Sequence, residues 1–165
     1  MASRRKAREL ALQMLYQWEV GKHQPAEVIA SFLRAQRLNP EVESFARSLF
    51  EGTVADVSSL DRQIRAQSKN WRPERMAAVD RNVLRVALFE LLHSDTPPAV
   101  VINEALEIVR RFSGGDGVEF VNGVLDGIRK TLPVNDSPPE PHPAEGGGNS
   151  RRKPRVSRSK DGYGR

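Results

Sequence analysis

The sequence predicts an all-α protein, and three features of its apolar pattern support this class. Residues 76–92, MAAVDRNVLRVALFELL, repeat apolar side chains at helical spacing on almost every side. Residues 3–18, SRRKARELALQMLYQW, repeat them at intervals of three and four along one face. No segment alternates apolar and polar residues for long enough to indicate a β-strand. We therefore expect a compact bundle of about seven helices joined by short loops.

The first predicted helix covers residues 3–18. The positions expected to face the core are Ala7, Leu10, Ala11, Met14, Leu15 and Trp18. At about 100° per residue, the flank beside this face holds Arg4, Arg5, Arg8, Leu12 and Tyr16.

Prolines divide the next part of the chain into three further helices. Pro25 is expected to open the second helix, and Asn39 to cap a third whose first residue is Pro40. A fourth is expected after Ser58 or Ser59. The inward positions of these helices are expected to be Ile29, Phe32, Leu33, Val42, Phe45, Ala46, Leu49, Thr53, Val57, Leu60 and Ile64.

The central stretch is predicted to be a helix that starts at Pro73 and stops before Thr96-Pro97-Pro98. Because it is apolar almost all round, we expect it to be buried on all sides. Its length of about 25 Å is short for a membrane span. Charged residues at Asp80, Arg81, Arg85 and Glu90 also argue against a span.

Two more helices are predicted before the composition changes. The first begins at Pro97 or Pro98 and ends at Gly114 and Gly115. Asp116 lies three residues before Glu119, which is the spacing of a capping box at the start of the last helix. The expected core positions are Val101, Ile102, Ala105, Leu106, Val109, Phe120, Val121, Val124, Leu125 and Ile128.

The C-terminal segment differs in composition from the rest of the chain, so we predict a helical domain at 1–133 and a disordered tail at 134–165. The tail contains no Leu, Ile, Phe, Met or Trp and is rich in Pro, Gly, Ser and charge. It holds seven Lys or Arg and four Asp or Glu, a net of +3 out of +5 for the chain. It is either a solvated extension with weak affinity for polyanions or a specific binding element.

The sequence offers no pattern of catalytic or metal-binding residues. It has no cysteine, and its histidines, His23, His93 and His142, are scattered. It lacks a phosphate-binding glycine loop, HExxH and GxSxG, and the carboxylates of Glu104 and Glu107 fit a solvated helix face. We therefore expect no enzyme, cofactor or metal. Because no apolar signal segment precedes residues 3–8, we also expect a soluble cytoplasmic protein.

The flank of the first helix combines arginines with an aromatic ring. Single-stranded nucleic acid is bound by such a mixture, because cations contact phosphates and an aromatic face stacks on an unpaired base. The basic residues, including Lys6, could equally be solvated, with Tyr16 as half-buried packing. The residues alone leave both interpretations open.

Four segments in this order and spacing resemble the NusB family of bacterial transcription antitermination proteins. They are RRKARELALQMLYQWE, NWRPERMAAVDRNVLRVALFEL, INEALEIVRRF and FVNGVLDGIRK, within residues 3–132. The resemblance implies an all-helical protein that binds boxA RNA together with ribosomal protein NusE. Other Nus factors and RNA polymerase would join indirectly, and termination in ribosomal RNA operons would be suppressed. Family members occur as monomers and dimers, so a homodimer stays open.

The resemblance also implies roles for individual residues. Arg4, Arg5, Lys6 and Arg8 match the family's arginine-rich motif, and Tyr16 matches the aromatic position that follows it. Phe120 matches an RNA-contacting position, while Asp80 and Asp116 match positions at the joint surface for RNA and partner. Each has a simpler alternative: Asp116 caps a helix, Phe120 packs, or Asp80 pairs with a neighbouring arginine. Lys6 departs from the arginine pattern, because an ammonium group cannot form a bidentate fork.

Three functions are compatible with these residues. The first is an antitermination factor that binds RNA with NusE. The second is the NusB-like module of a ribosomal RNA cytosine methyltransferase, for which the chain shows neither a Rossmann-like domain nor a catalytic cysteine. The third is a helical protein-interaction adaptor without an RNA role.

Overall fold

The computed structural model describes residues 2–68 and 72–133, in which seven α-helices and one short 3₁₀ helix occur and no strand. The α-helices are α1 (Ala2–Glu19), α2 (Pro25–Arg34), α3 (Pro40–Ala55), α4 (Val57–Gln67), α5 (Ala78–His93), α6 (Pro98–Phe112) and α7 (Gly115–Thr131). The 3₁₀ helix is Pro73–Arg75. The predicted all-α class is therefore confirmed. The predicted disorder of residues 134–165 lies outside the described residues.

Proline begins three of these helices, as the sequence predicts. The first helical position is occupied by Pro25 in α2, Pro40 in α3 and Pro98 in α6. Proline suits this position because an N–H group there would have no partner within the helix. The side chain of Asn39 accepts a hydrogen bond from the backbone N–H of Glu41 at 2.9 Å, so it caps α3.

Three predicted helix starts are wrong. Helix α4 begins at Val57, so Ser58 and Ser59 lie in its first turn and do not precede it. The central helix begins at Ala78, because Pro73 opens a separate 3₁₀ turn and Ala77 is extended, with φ −57° and ψ 137°. The last helix begins at Gly115, and Gly114 precedes it with φ 102°, a conformation that favours glycine. Asp116 therefore lies inside the first turn and does not form the predicted capping box.

Helix α5 lies at the centre of the fold and packs against α1, α3, α4, α6 and α7. Its residues Val83, Leu84, Ala87 and Leu88 belong to the larger apolar cluster, which also contains residues of α4, α6 and α7. On its other side Val86 joins a second cluster built by α1, α2 and α3. The expectation of a central buried helix is confirmed, and α5 joins the two clusters.

The buried surface of α5 is less apolar than its sequence pattern suggests. Asp80, Asn82, Arg85 and Glu90 are all buried together with the apolar residues. The fold must therefore supply polar partners at several points of α5, because an unpaired buried charge is strongly destabilising.

Close packing of α3 on α5 depends on a glycine. A Cβ atom added to Gly52 would lie 2.0 Å from Cζ of Phe89, far inside van der Waals contact. The absence of a side chain at residue 52 therefore lets the Phe89 ring lie directly against the α3 backbone.

Some core positions escape the sequence pattern. Val28 and Phe50 are buried although neither is among the expected inward positions, whereas Ile29, Phe32 and Leu33 are only partly buried. Within the described part of the chain, no helix is long and apolar enough to cross a membrane.

We expect Leu88→Ala to lower the free energy of unfolding by about 2–5 kcal/mol, because the fully buried side chain leaves a cavity when truncated. Leu92→Ala is the matched control on the same helix: Leu92 is 36% exposed, and its truncation should cost below about 1 kcal/mol. Denaturant unfolding of both variants measures the difference. Equal small effects would contradict the central position of α5.

Candidate nucleic-acid interface

The start of α1 carries the basic residues that the sequence predicts to bind RNA. Arg4, Arg5 and Lys6 are exposed, whereas Arg8 is only 4% exposed. Residues two apart on a helix point to nearly opposite sides, so Lys6 faces away from Arg4 and Arg8. The structure therefore brings Arg4, Arg5 and Arg8 to one side of α1 and leaves Lys6 on another.

Arg8 is held inside the protein by Glu90 of α5. Its Nε donates to Oε2 of Glu90 at 2.9 Å, and its Nη2 donates to Oε1 of the same carboxylate. Glu90 is 1% exposed. A phosphate cannot reach this guanidinium in the observed conformation, so the prediction that Arg8 contacts phosphate directly is revised to a positioning role.

Arg5 forms a similar pair nearer the surface. Its Nε and Nη2 donate to Glu104 of α6 at 2.9 and 3.0 Å. The hydrogen bonds from Arg5 lower the pKa of the Glu104 carboxyl, and Glu104 in turn raises the pKa of Arg5. The Arg5 side chain is 46% exposed, and its Nη1 takes no part in the pair. Arg5 can therefore offer its outer edge to a phosphate while Glu104 holds the inner edge.

Arg4 and Lys6 keep their charges unneutralised. In the described part of the chain, no carboxylate lies within ion-pair distance of either side chain. The Arg4 guanidinium lies 4.5 Å from the centre of the Phe45 ring, and that of Arg8 lies 5.5 Å from it. The positive field at the start of α1 thus comes from Arg4, Lys6 and, in part, Arg5.

Tyr16 lies farther along α1, beside an apolar groove of about 150 Å³. Tyr16 is 48% exposed and Phe112 of α6, which also lines the groove, is 49% exposed. The buried Nδ2 of Asn82, another lining residue, has no hydrogen-bond partner. Two accessible aromatic rings and a free donor at the same groove can bind a planar ring or an apolar side chain that carries an acceptor.

A contact between α1 and α6 connects the Arg5 pair to this groove. Glu9 of α1 accepts a hydrogen bond from Nη1 of Arg111 at 2.9 Å. Glu9 also lines the groove that holds Tyr16 and Phe112. The boundary between α1 and α6 therefore presents, in order, a half-exposed arginine, a surface ion pair and two aromatic rings.

The remaining predicted residues meet at a second, wider groove of about 550 Å³. Asp80, Asp116 and Phe120 line it together with Arg72 and Arg75. The buried Oδ1 of Asp80 has no hydrogen-bond partner, so the predicted alternative of a pair with a neighbouring arginine is not observed for this atom. The structure brings these three residues together, and it places them apart from the arginines of α1.

Gly117 makes the burial of Asp80 possible. A Cβ atom at residue 117 would lie 2.9 Å from both carboxylate oxygens of Asp80. The carboxylate thus rests against the first turn of α7, where the helix dipole favours negative charge.

The far end of α1 is fixed by a network of charges. Glu19 accepts hydrogen bonds from Arg81 and Arg85 of α5, and Arg85 also binds Asp61 of α4 at 2.8 and 2.9 Å. Burial alone raises the pKa of Glu19, but the hydrogen bonds from the two arginines outweigh it and the pKa is lowered. Burial lowers the pKa of Arg85, and its bonds to Asp61 and Glu19 raise it overall.

Sequence reasoning misses three residues of this surface. The apolar pattern places Glu104 on a solvated face and Phe45 in the core. Phe112 continues the apolar stripe of α6 three residues after Val109, yet it is exposed because α6 ends there. No local sequence signal distinguishes these three residues from ordinary solvated or core positions. The described residues contain no group of three or more potential metal ligands.

Comparisons with known proteins agree on one family. A profile described as the NusB family matches residues 5–130. Transcription antitermination protein NusB of Solibacter usitatus is 43% identical over 141 residues, covering 84% of this chain and 97% of that protein. The protein of the same name from Koribacter versatilis is 48% identical over 132 residues, covering 79% and 90%.

Two solved structures have the same fold. Thermotoga maritima NusB superposes with a TM-score of 0.71 at 33% identity, covering 78% of this chain and 91% of that one. A chain in a crystal structure of antitermination factors NusB and NusE in complex with dsRNA gives a TM-score of 0.72 at 27% identity. It covers 80% of this chain and 99% of that one.

We expect Arg8→Met to lower the free energy of unfolding by about 3–5 kcal/mol, because it leaves Glu90 buried without its partner. The double variant Arg8→Met with Glu90→Met should recover most of this loss, since both buried charges are then gone. A double-mutant cycle in denaturant measures the coupling. A loss below about 1 kcal/mol for the single variant would argue against a structural role for Arg8.

Acid should reduce the contribution of Glu19 to stability. Its pKa is lower in the folded protein than in the unfolded chain, so its contribution is fully present above the unfolded value of about 4.3 and is lost as the pH falls through the folded value. The stability difference between the wild type and Glu19→Gln should therefore be constant near neutral pH and shrink below about pH 4. Glu51→Gln, on the surface of α3, is the control. A difference independent of pH would contradict this assignment.

Proposed function

The chain belongs to the NusB family, and from this we propose that it is a transcription antitermination factor that binds boxA RNA together with ribosomal protein NusE. In this role it supports readthrough of ribosomal RNA operons. The names of its relatives and the NusB–NusE complex with RNA support this proposal. The matched region covers 97% and 90% of the length of the two relatives named as antitermination proteins. This coverage favours the antitermination function over the methyltransferase module.

The observation that carries the proposal is the arrangement along α1. Unneutralised cations stand at its start, and an exposed aromatic groove lies about 18 Å away at Tyr16, twelve residues after Arg4. A single RNA strand presents phosphates and unstacked bases at comparable intervals, so it can use both features at once.

Each residue of the proposed interface has a distinct part. Arg4 and Arg5 bind phosphates on one side of α1, while Lys6 adds positive potential from another side. Tyr16 stacks on a base. Arg8 positions α1 through its buried ion pair with Glu90. Asp80, Asp116 and Phe120 form the neighbouring surface for RNA and partner. Base amino groups and the donors of a basic protein partner are both suited to the carboxylates there.

NusE is proposed as the direct protein partner, and the other Nus factors and RNA polymerase join through the resulting complex. The protein then acts by binding in the cytoplasm, where nascent RNA is made, and catalyses no reaction itself. Proteins of the NusB family that act as antitermination factors are not enzymes in general.

Titration of labelled boxA RNA at several salt concentrations tests the proposal. Arg5→Ala and Lys6→Ala should each weaken binding and reduce the slope of log K against log salt by about 0.7 for each phosphate that is no longer neutralised. Tyr16→Ala should weaken binding by about 1–3 kcal/mol and leave the slope unchanged, because stacking releases no counterion. Addition of NusE should tighten binding of the wild type.

Arg62→Ala is the charge-matched control, because Arg62 is exposed on α4, which packs against α5 and α7. It should alter neither affinity nor slope beyond a small long-range effect. If Arg5→Ala and Lys6→Ala behave like this control while NusE still binds, the protein-adaptor function replaces the RNA-binding one.

A further inference from the structure

A further groove opens beside the start of α1, away from Tyr16. It has a volume of about 740 Å³ and runs between the first residues of α1 and the first half of α3. The lining residues that matter here are Ser3, Arg4, Glu41, Ser44, Phe45 and Ser48. Arg4 thus belongs both to the arginine row of α1 and to this groove.

Arg4 differs from the other two arginines in what holds it. Arg5 and Arg8 each bind a carboxylate through two nitrogens, whereas Arg4 lies over the Phe45 ring at 4.5 Å. The aromatic contact holds the guanidinium group against the ring without neutralising its charge. Because Arg4 is exposed, its plane is also accessible from outside.

We propose that this groove is a base-stacking subsite for RNA nucleotides that lie beyond the boxA element. The inference rests on the proposed RNA-binding function and extends it. The base stacks on the Arg4 guanidinium, which is itself stacked on Phe45, so that ring, cation and base form three layers. Guanidinium planes and aromatic rings are the usual platforms for unpaired RNA bases.

The rest of the groove fits a base and its ribose better than a phosphate. Three serine hydroxyls, from Ser3, Ser44 and Ser48, can donate to or accept from base edges and the ribose 2′-hydroxyl. The carboxylate of Glu41 on the same wall repels a phosphate. The strand therefore enters with its bases toward α3 and its phosphates toward solvent.

Continuity with the proposed interface identifies the occupant. A strand that follows α1 from Tyr16 to Arg5 on the α6 side reaches the groove on the α3 side by crossing the start of α1 at Arg4, which follows Arg5 by about 100° around the helix. An amphipathic peptide helix would require a wide apolar stripe along the groove. Three apolar residues, Pro40, Val42 and Phe45, line the groove, but three hydroxyls, a carboxylate and a cation lie among them, and this mixture favours RNA over such a peptide.

Fluorescence titrations with extended RNA probes test the subsite. The core probe carries boxA alone, and two others add four adenosines at the 5′ or the 3′ end. One extended probe should bind the wild type roughly 5- to 100-fold more tightly than the core probe. An otherwise identical probe with four abasic residues should lose this gain, because it keeps the phosphates and lacks the bases.

Two variants localise the gain to the groove. Arg4→Lys retains the charge but not the plane, so the ratio of extended-probe to core-probe affinity, measured for the same variant, should fall to about one. Phe45→Leu should remove the gain as well, with thermal unfolding as a check that it folds. Arg47→Lys, on an exposed residue of α3 that pairs with Glu51 at 2.8 Å, is the matched control and should keep the gain.

The outcomes separate this inference from the function on which it rests. Loss of all binding to the core probe by the wild type would overturn the RNA-binding function and the subsite together. If the wild type binds the core probe normally, any of three results overturns the subsite alone. These are that neither extension tightens binding, that the abasic extension is equally effective, or that both groove variants keep the gain. If those variants instead weaken binding of NusE, the groove is a protein-docking surface.

Discussion

The buried ion pair between Arg8 and Glu90 determines how the functional helix sits on the core. Both groups are almost completely buried, and either one alone would be a costly uncompensated charge. A slip of α1 by one turn along α5 would separate them, so the pair admits one register. In that register Arg4 lies over Phe45 of α3 and Arg5 meets Glu104 of α6. The arrangement of the candidate RNA surface thus follows from a contact that RNA itself does not reach.

The same helix pair is fixed a second time near the other end of α1. Glu19 is held by Arg81 and Arg85 of α5, and Asp61 of α4 completes the network. Between these two polar contacts the apolar residues of α1 pack in the second core cluster. Apolar packing supplies most of the favourable free energy of folding. The ion pairs fix the relative position of the helices, because apolar side chains tolerate small shifts better than buried charges do.

The arginine-rich motif therefore contains residues with different physical tasks. Arg8 is structural in this conformation, Arg5 is shared between Glu104 and solvent, and Arg4 and Lys6 retain their charges. A count of basic residues overstates the number of cations that can meet phosphates. The aromatic rings of the candidate RNA surface lie in the grooves at Tyr16 and at Phe45. Asp80 and Phe120 lie at a third groove, which includes the start of α7. An extended ligand fits such a surface better than a compact one.

The sequence by itself determined the helical class, most helix starts and the central place of α5. These features follow from the spacing of apolar residues and from proline at helix starts, and both act over only a few residues. It also located the family motifs that carry Tyr16 and Phe120. Tertiary structure alone decided that Arg8 is buried and that Phe112 is exposed. Whether a side chain is covered depends on residues distant in sequence, such as Glu90 for Arg8, and on where a helix happens to end. No local pattern in the chain records those pairings.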